Sequence, residues 1–196
     1  MKELKSVCVF CGSSTGNNQV IIDSAKKLGL IIAEQNIKLV YGGAKVGLMG
    51  IIADTVIENK GKVTGVIPDF FSKKEIAHDN LNELIYVKSM AERKAVLAEL
   101  SDAFIAMPGG YGTMDELFEM LTVSQLNLHR KPIGLLNVDN FFEPLLKQLE
   151  RMMNDNFLQT AHRNMLLEDK EPEALLNKLR FYEPPQQDKW INKIKR

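Results

Sequence analysis

Net charge is what this sequence most plainly lacks. Lys plus Arg and Asp plus Glu stand at 25 each in 196 residues, so the chain as a whole has no general attraction for nucleic acid or an anionic membrane, and any acidic ligand has to be held by a local site. Long apolar runs are missing too. No stretch approaches the roughly 20 apolar residues of a membrane span, and the apolar run after Lys5 stops at Gly12, too short for the apolar core of a secretion signal. The expectation is a cytoplasmic protein that binds neither nucleic acid nor membrane. Cysteine is scarce: Cys8 and Cys11 form a CxxC on paper, but "SVCVFC" has the pattern of a strand, where residues three apart face opposite ways and cannot share a metal. They are expected to be small buried hydrophobes. Three histidines, His78, His129 and His162, are scattered without metal-ligand spacing, and the acidic residues form no chelating cluster, so no metal is expected.

What is present is ordinary for one globular domain: 45% hydrophobic and 26% charged residues, in a chain long enough for a substantial core. Strand-length apolar runs fall at Ser6–Phe10, Lys38–Tyr41, Lys62–Ile67, Leu84–Val87, Ala103–Met107 and Pro132–Leu136. Helical patterns fill the gaps at Asn18–Gln35, Gly47–Asn59, Met90–Ser101, Thr113–Leu128 and Phe141–Asn154. Alternation of this kind predicts an α/β fold, a doubly wound parallel sheet with helices on both faces. The domain is expected to span residues 1–182, with a tail over 183–196 whose Trp190, Ile191 and Ile194 dock on a partner or on the domain itself, or stay loose. A further helix is expected to start near Pro172.

In a doubly wound sheet, ligands bind beyond the carboxyl ends of the strands. Three segments there are rich in glycine and small polar residues: "CGSSTGNN" (Gly12, Ser13, Ser14), "YGGAKVGLMG" (Gly42, Gly43) and "PGGYGT" (Gly109, Gly110, Tyr111, Gly112, Thr113). Glycine permits tight turns wherever it occurs. Three such loops on one sheet edge favour a shared anion site, because successive backbone N–H groups at helix starts bind phosphate. Familiar nucleotide loops are ruled out. Leu48 and Met49 stand where a Walker A loop needs Lys and Ser/Thr, and the first loop lacks GxGxxG. A smaller phosphate, such as that of a mononucleotide, remains.

Thr113 can cap the helix that follows or reach that phosphate. Glu116 lies in the first turn, where a carboxylate is favoured by the helix dipole; Glu119 and Thr122 follow at three-residue steps. A carboxylate beside a phosphate needs a cation nearby, and Arg93 and Lys94 supply one from the start of a helix, the end at which positive charge does not stabilise the helix itself.

"PGGYGTMDE" fits the pattern PGGxGTxxE, "MAERK" fits MxxRK eighteen residues upstream, and "VFCGSS", "YGG…GLMG" and "KPIGLLNVDNFF" occur in matching order. Over about residues 6–149 the chain resembles the LONELY GUY (LOG) family, the cytokinin riboside 5′-monophosphate phosphoribohydrolases. That resemblance implies a Rossmann-like homodimer that hydrolyses the N-glycosidic bond of an adenine-type nucleoside 5′-monophosphate, AMP or a cytokinin nucleotide, to free base and ribose 5-phosphate, without a cofactor. It further implies that Arg93 and Glu116 are the catalytic pair, that Gly109–Thr113 form the phosphate loop, and that Glu75, Lys94 and Thr122 contact the nucleotide. Asp115 departs from the Glu common in plant members. Two other readings compete. Bacterial members carried a lysine decarboxylase label, but amino-acid decarboxylation normally needs a Schiff-base lysine, and nothing singles one out among Lys45, Lys94 and Lys131. A non-enzymatic nucleotide sensor or carrier on the same scaffold is the other.

Overall fold

The computed structural model describes residues 3–72 and 76–185. Seven parallel strands alternate with helices: β1 Ser6–Phe10, α1 Gln19–Glu34, β2 Lys38–Tyr41, α2 Gly47–Glu58, β3 Val63–Pro68, α3 Asp69–Ser72, β4 Glu83–Val87, α4 Met90–Glu99, β5 Ala103–Ala106, α5 Tyr111–Gln125, β6 Ile133–Leu136, α6 Glu143–Asn154, α7 Thr160–Arg163, β7 Leu166–Asp169 and α8 Pro172–Arg180. The strands pair in the order β4-β3-β2-β1-β5-β6-β7. This is the expected doubly wound sheet, and its order reverses between β1 and β5, which opens a crevice beyond their carboxyl ends.

Period-two alternation sorts each strand's side chains between two cores. Val7 and Val9 of β1, with Leu39 and Tyr41 of β2 and Ile105 of β5, face α1, α2 and α8. Cys8 and Phe10, with Val40 and Phe104, face α4, α5 and α6. Both cysteines are buried free thiols, Cys8 in the second core and Cys11 in the first, so the alternation argument that separated them holds. On α1 the spaced apolar residues Ile21, Ala25, Leu28 and Ile32 are all buried, and the Asn18 side chain accepts a hydrogen bond from the Val20 N–H to start the helix.

The sequence pattern did not reveal β7. Its four residues, LLED, are an edge strand with one buried residue, too short and too mixed to alternate. It pairs with β6 along its length. The helix expected from Pro172 is α8, with Pro at its first position. Leu175, Leu176 and Leu179 are almost wholly buried, at about 1.5–3 kcal/mol each, so this segment is part of the domain's core. Leu175 sits against Gly134 of β6, where a side chain would crowd it. Among the described residues no helix is long and apolar enough to cross a membrane. Trp190, Ile191 and Ile194 lie outside the described residues.

Candidate active site

The loops after β1 and β5 meet at the crevice, where the Gly12 N–H donates to the Pro108 carbonyl at 3.1 Å. Close packing here explains most of the glycines. A Cβ on Gly12 would come within 2.8 Å of the Ser14 carbonyl oxygen, and one on Gly109 would overlap the Thr113 hydroxyl. Gly43 (φ +75°) adopts a conformation that side chains resist and is hemmed in by Ile67 and Leu84. Gly110 and Gly112 differ: the space where their side chains would lie is empty within 4 Å. The bare backbone of the motif therefore does two jobs, packing at Gly109 and an open face at Gly110 and Gly112.

Gly110 is the N-cap of α5, so the helix starts at Tyr111, two residues earlier than the sequence suggests. Thr113 consequently does not cap it. It is the third helical residue, 3% exposed, with its hydroxyl against Gly109. Starting the helix at Tyr111 leaves its first N–H groups without a partner inside the helix, and residues 110–113 line the cavity described below.

Arg93 and Glu116 are 23 residues apart in the chain and form one buried ion pair: Arg93 Nη1 donates to Glu116 Oε1 at 2.6 Å, with both side chains about a tenth exposed. Arg93 Nε donates to the Val66 carbonyl oxygen of β3 at 3.0 Å, and the guanidinium lies so close over Gly42 that any side chain there would displace it. The Ser89 side chain accepts from the Glu92 N–H and the Glu92 carboxylate accepts from the Lys88 N–H, which fixes the start of α4 and hence the position of Arg93. Burial raises the Glu116 carboxyl above its ordinary range, and Arg93 pulls in the opposite direction without cancelling it.

This pair borders a cavity of about 440 Å³, a size that suits a small ligand. Of the residues singled out in the sequence, Ser13, Gly42, Arg93, Gly110, Tyr111, Gly112, Thr113 and Glu116 line it. Gly12, Gly43 and Gly109 stand behind the lining as packing residues, and the Ser14 hydroxyl accepts from the Gly16 N–H in the turn of its own loop. Lys94 is turned away: Asp115 and Glu119 of α5 both pair with it, and its hydrogen bond to Glu119 leads the effects that raise its pKa. Thr122 does not reach the cavity either. Three-residue steps lag a helical face by about 60° each, so Thr122 has rotated about 120° from Glu116; its hydroxyl donates to the Phe118 carbonyl, in a separate groove between α5, α6 and α7. Glu75 lies outside the described residues.

The rest of the lining is apolar: Cys11, Val46, Met49 and Met90 lie inside the quoted motifs without having been assigned to the site, and Phe71 and Ile76 lie outside them. The rule that ligands sit beyond strand ends would have led to Phe71, which follows β3 by three residues. A larger cavity of about 710 Å³ lies at the opposite, amino ends of β1 to β3 and is lined by Lys5, Lys38, Lys60, Lys62 and Arg180. That cavity lies away from the carboxyl ends of the strands, so the smaller cavity, with its buried pair of opposite charges, is the candidate site.

A reversal-point crevice, glycine-rich loops at its strand ends and a buried guanidinium–carboxylate pair mark an α/β protein of the doubly wound class. The family model described as "Possible lysine decarboxylase" matches residues 49–179. The cytokinin riboside 5′-monophosphate phosphoribohydrolase LOG2 of Arabidopsis thaliana is 43% identical over 99% of this chain and 92% of its own length. The probable enzyme LOGL1 of Oryza sativa subsp. japonica is 47% identical over 90% and 79%. The chain belongs to the LOG family. Among solved structures, the molybdenum cofactor binding protein of Rippkaea orientalis is similar with a TM-score of 0.67 at 24% identity, covering 90% of this chain and 96% of that one. The Moco carrier protein of Chlamydomonas reinhardtii scores 0.65 at 20% identity, covering 90% and 100%. At these identities the likeness concerns the fold.

Proposed function

We propose that this protein is a phosphoribohydrolase that cleaves the N-glycosidic bond of an adenine-type nucleoside 5′-monophosphate, cytokinin nucleotides included. The observation that carries the reading is the buried Arg93–Glu116 pair at 2.6 Å, set in one cavity with Gly110, Tyr111, Gly112 and Thr113 at the start of α5. The 5′-phosphate sits at Gly110–Thr113, where backbone N–H groups and the helix dipole favour an anion. As the bond from C1′ to the base nitrogen lengthens, positive charge builds on the ribose ring, and the ionised Glu116 stabilises that charge more than it stabilises the ground state. A water oxygen bonds to C1′, the base nitrogen leaves with the electron pair of the broken bond, and a proton from that water ends on the base. Arg93 keeps Glu116 ionised and aimed, and its remaining N–H groups are free to bind substrate.

The decarboxylase label finds little support in the lining. No lysine is among the described lining residues, and Lys94 is committed to two carboxylates. The reading extends to a homodimer acting in the cytoplasm. An outward face of α5 carries Tyr111, 97% exposed at the rim of the pocket, and Phe118 two turns further along, and such a surface suits a second copy.

The test is a base-release assay over nucleoside 5′-monophosphates with the unphosphorylated nucleosides as controls. Free adenine from AMP, with adenosine cleaved far more slowly, is expected. No release from any monophosphate, or equal cleavage of both forms, refutes the reading, and binding of AMP without release assigns the protein to the carriers.

A further inference from the structure

The wall that Phe71 and Ile76 give the pocket belongs to the segment between β3 and β4, and its return leg is fastened in an unusual way. The Lys45 N–H donates to the Ile76 carbonyl and the His78 N–H donates to the Gly43 carbonyl, both at 2.9 Å. Ala44 and Ala77 thereby form an antiparallel bridge, so the leg is stitched to the loop that follows β2. Two residues beyond Ile76, His78 turns its side chain inward and is 6% exposed.

Both ring nitrogens of His78 are committed. Nδ1 accepts from the Asn80 N–H at 3.2 Å, which leaves Nε2 to carry the proton, and Nε2 lies 2.9 Å from Asp54 Oδ1 on α2. An imidazole is costly to bury unless each nitrogen meets a group of the right sense, so this leg is held by a specific joint rather than by general packing. The nearby Lys45–Asp79 pair, at 2.8 Å, is largely exposed and contributes little by comparison. Neither His78 nor Asp54 is among the residues that line the cavity, whereas Ile76 is.

We propose that His78 and Asp54 are positioning residues of the substrate pocket: the imidazole, tied to α2, holds Ile76 in place as part of the apolar wall against the nucleotide. The proposal rests on the phosphoribohydrolase reading and deepens it. The wall's contacts are made equally in the ground and transition states, so loosening it weakens binding without slowing chemistry.

Three variants test this. Asp54→Ala strands the Nε2–H, Asp54→Asn keeps an oxygen to accept it, and His78→Gln keeps a side-chain N–H to donate. With AMP as substrate, Asp54→Ala is expected to raise KM about tenfold, the effect of one hydrogen bond, with kcat within about twofold of the parent. Asp54→Asn and His78→Gln are expected to recover most of that affinity. Calorimetric binding of AMP to the same variants in a Glu116→Gln background should show the same loss and recovery without depending on turnover. The proposal is overturned if Asp54→Ala binds AMP like the parent, if Asp54→Asn is as impaired as Asp54→Ala, if kcat falls while KM holds, or if only thermal stability changes. A parent that binds AMP but releases no adenine sinks the hydrolase reading alone, because the affinity comparison still decides this one. A parent that does not bind AMP overturns both.

Discussion

Replacing Arg93 with methionine separates what the buried pair does for stability from what it does for function. Arg93→Met keeps the length and much of the apolar stem but removes the guanidinium. Glu116 is then left about 8% exposed without its 2.6 Å partner, and the Val66 carbonyl loses its donor. Breaking a buried ion pair from one side costs about 3–5 kcal/mol. For a chain of this size each kcal/mol shifts Tm by about 2–4 °C, so a fall of about 6–20 °C is expected at alkaline pH. The loss depends on pH in a definite sense. Burial already holds the Glu116 carboxyl above its unfolded range, and removing Arg93 takes away the main opposing effect, so the folded-state pKa rises further. A group whose pKa is raised on folding contributes stability that is complete below its unfolded pKa and lost as pH climbs through the folded value. Arg93→Met should therefore be nearer the parent in acid and furthest from it in base. Adding Glu116→Leu to Arg93→Met removes the stranded charge and should restore much of the stability while leaving the protein inactive. Thermal unfolding followed by circular dichroism at several pH values decides the matter. If Arg93→Met is as stable as the parent at alkaline pH, or if the double variant is weaker than the single one, the account of the pair is wrong.

Glu116→Gln should lower kcat on AMP by about 100-fold or more while AMP affinity, measured by calorimetry, stays near that of the parent. In the parent, kcat/KM should fall as the pH drops through a Glu116 pKa that lies above the ordinary glutamate range, and Arg93→Met should move any residual acid limb to higher pH. Gly42→Ala places a methyl group where the guanidinium lies, and base release should collapse with a folded far-ultraviolet spectrum retained. Gly112→Ala has room and lies inside a helix, so Tm should rise, by about 0.5–1 kcal/mol in stability terms, whereas Gly109→Ala overlaps the Thr113 hydroxyl and should lower it. Thermal scans of the two alanine variants side by side test the division of labour within the motif.

Much of the architecture is legible along the chain. Six of the seven strands and the five longest helices follow from local periodicity, because alternation and the helical repeat are imposed by backbone geometry and by which face meets the core. Some candidate residues stood out in the sequence as well, since bare glycines ahead of a helix and an Arg-Lys pair at a helix start conflict with ordinary stability rules, but of that pair only Arg93 lines the cavity, and Thr122 does not. What lay beyond the sequence is whatever depends on residues remote in the chain. That Arg93 and Glu116 touch, that Gly42 exists to admit a guanidinium, and that Lys94 is spent on Asp115 and Glu119 all follow from how α4 and α5 pack together. The same holds for β7, whose short, mixed sequence becomes a strand only because β6 offers an edge, and for the apolar wall of the pocket, assembled from four separate loops and helix starts. Local pattern records how each segment would bury its own face. Only the packing of the whole sheet decides which side chains share a cavity, because that distance is set by strand order and not by spacing in the chain.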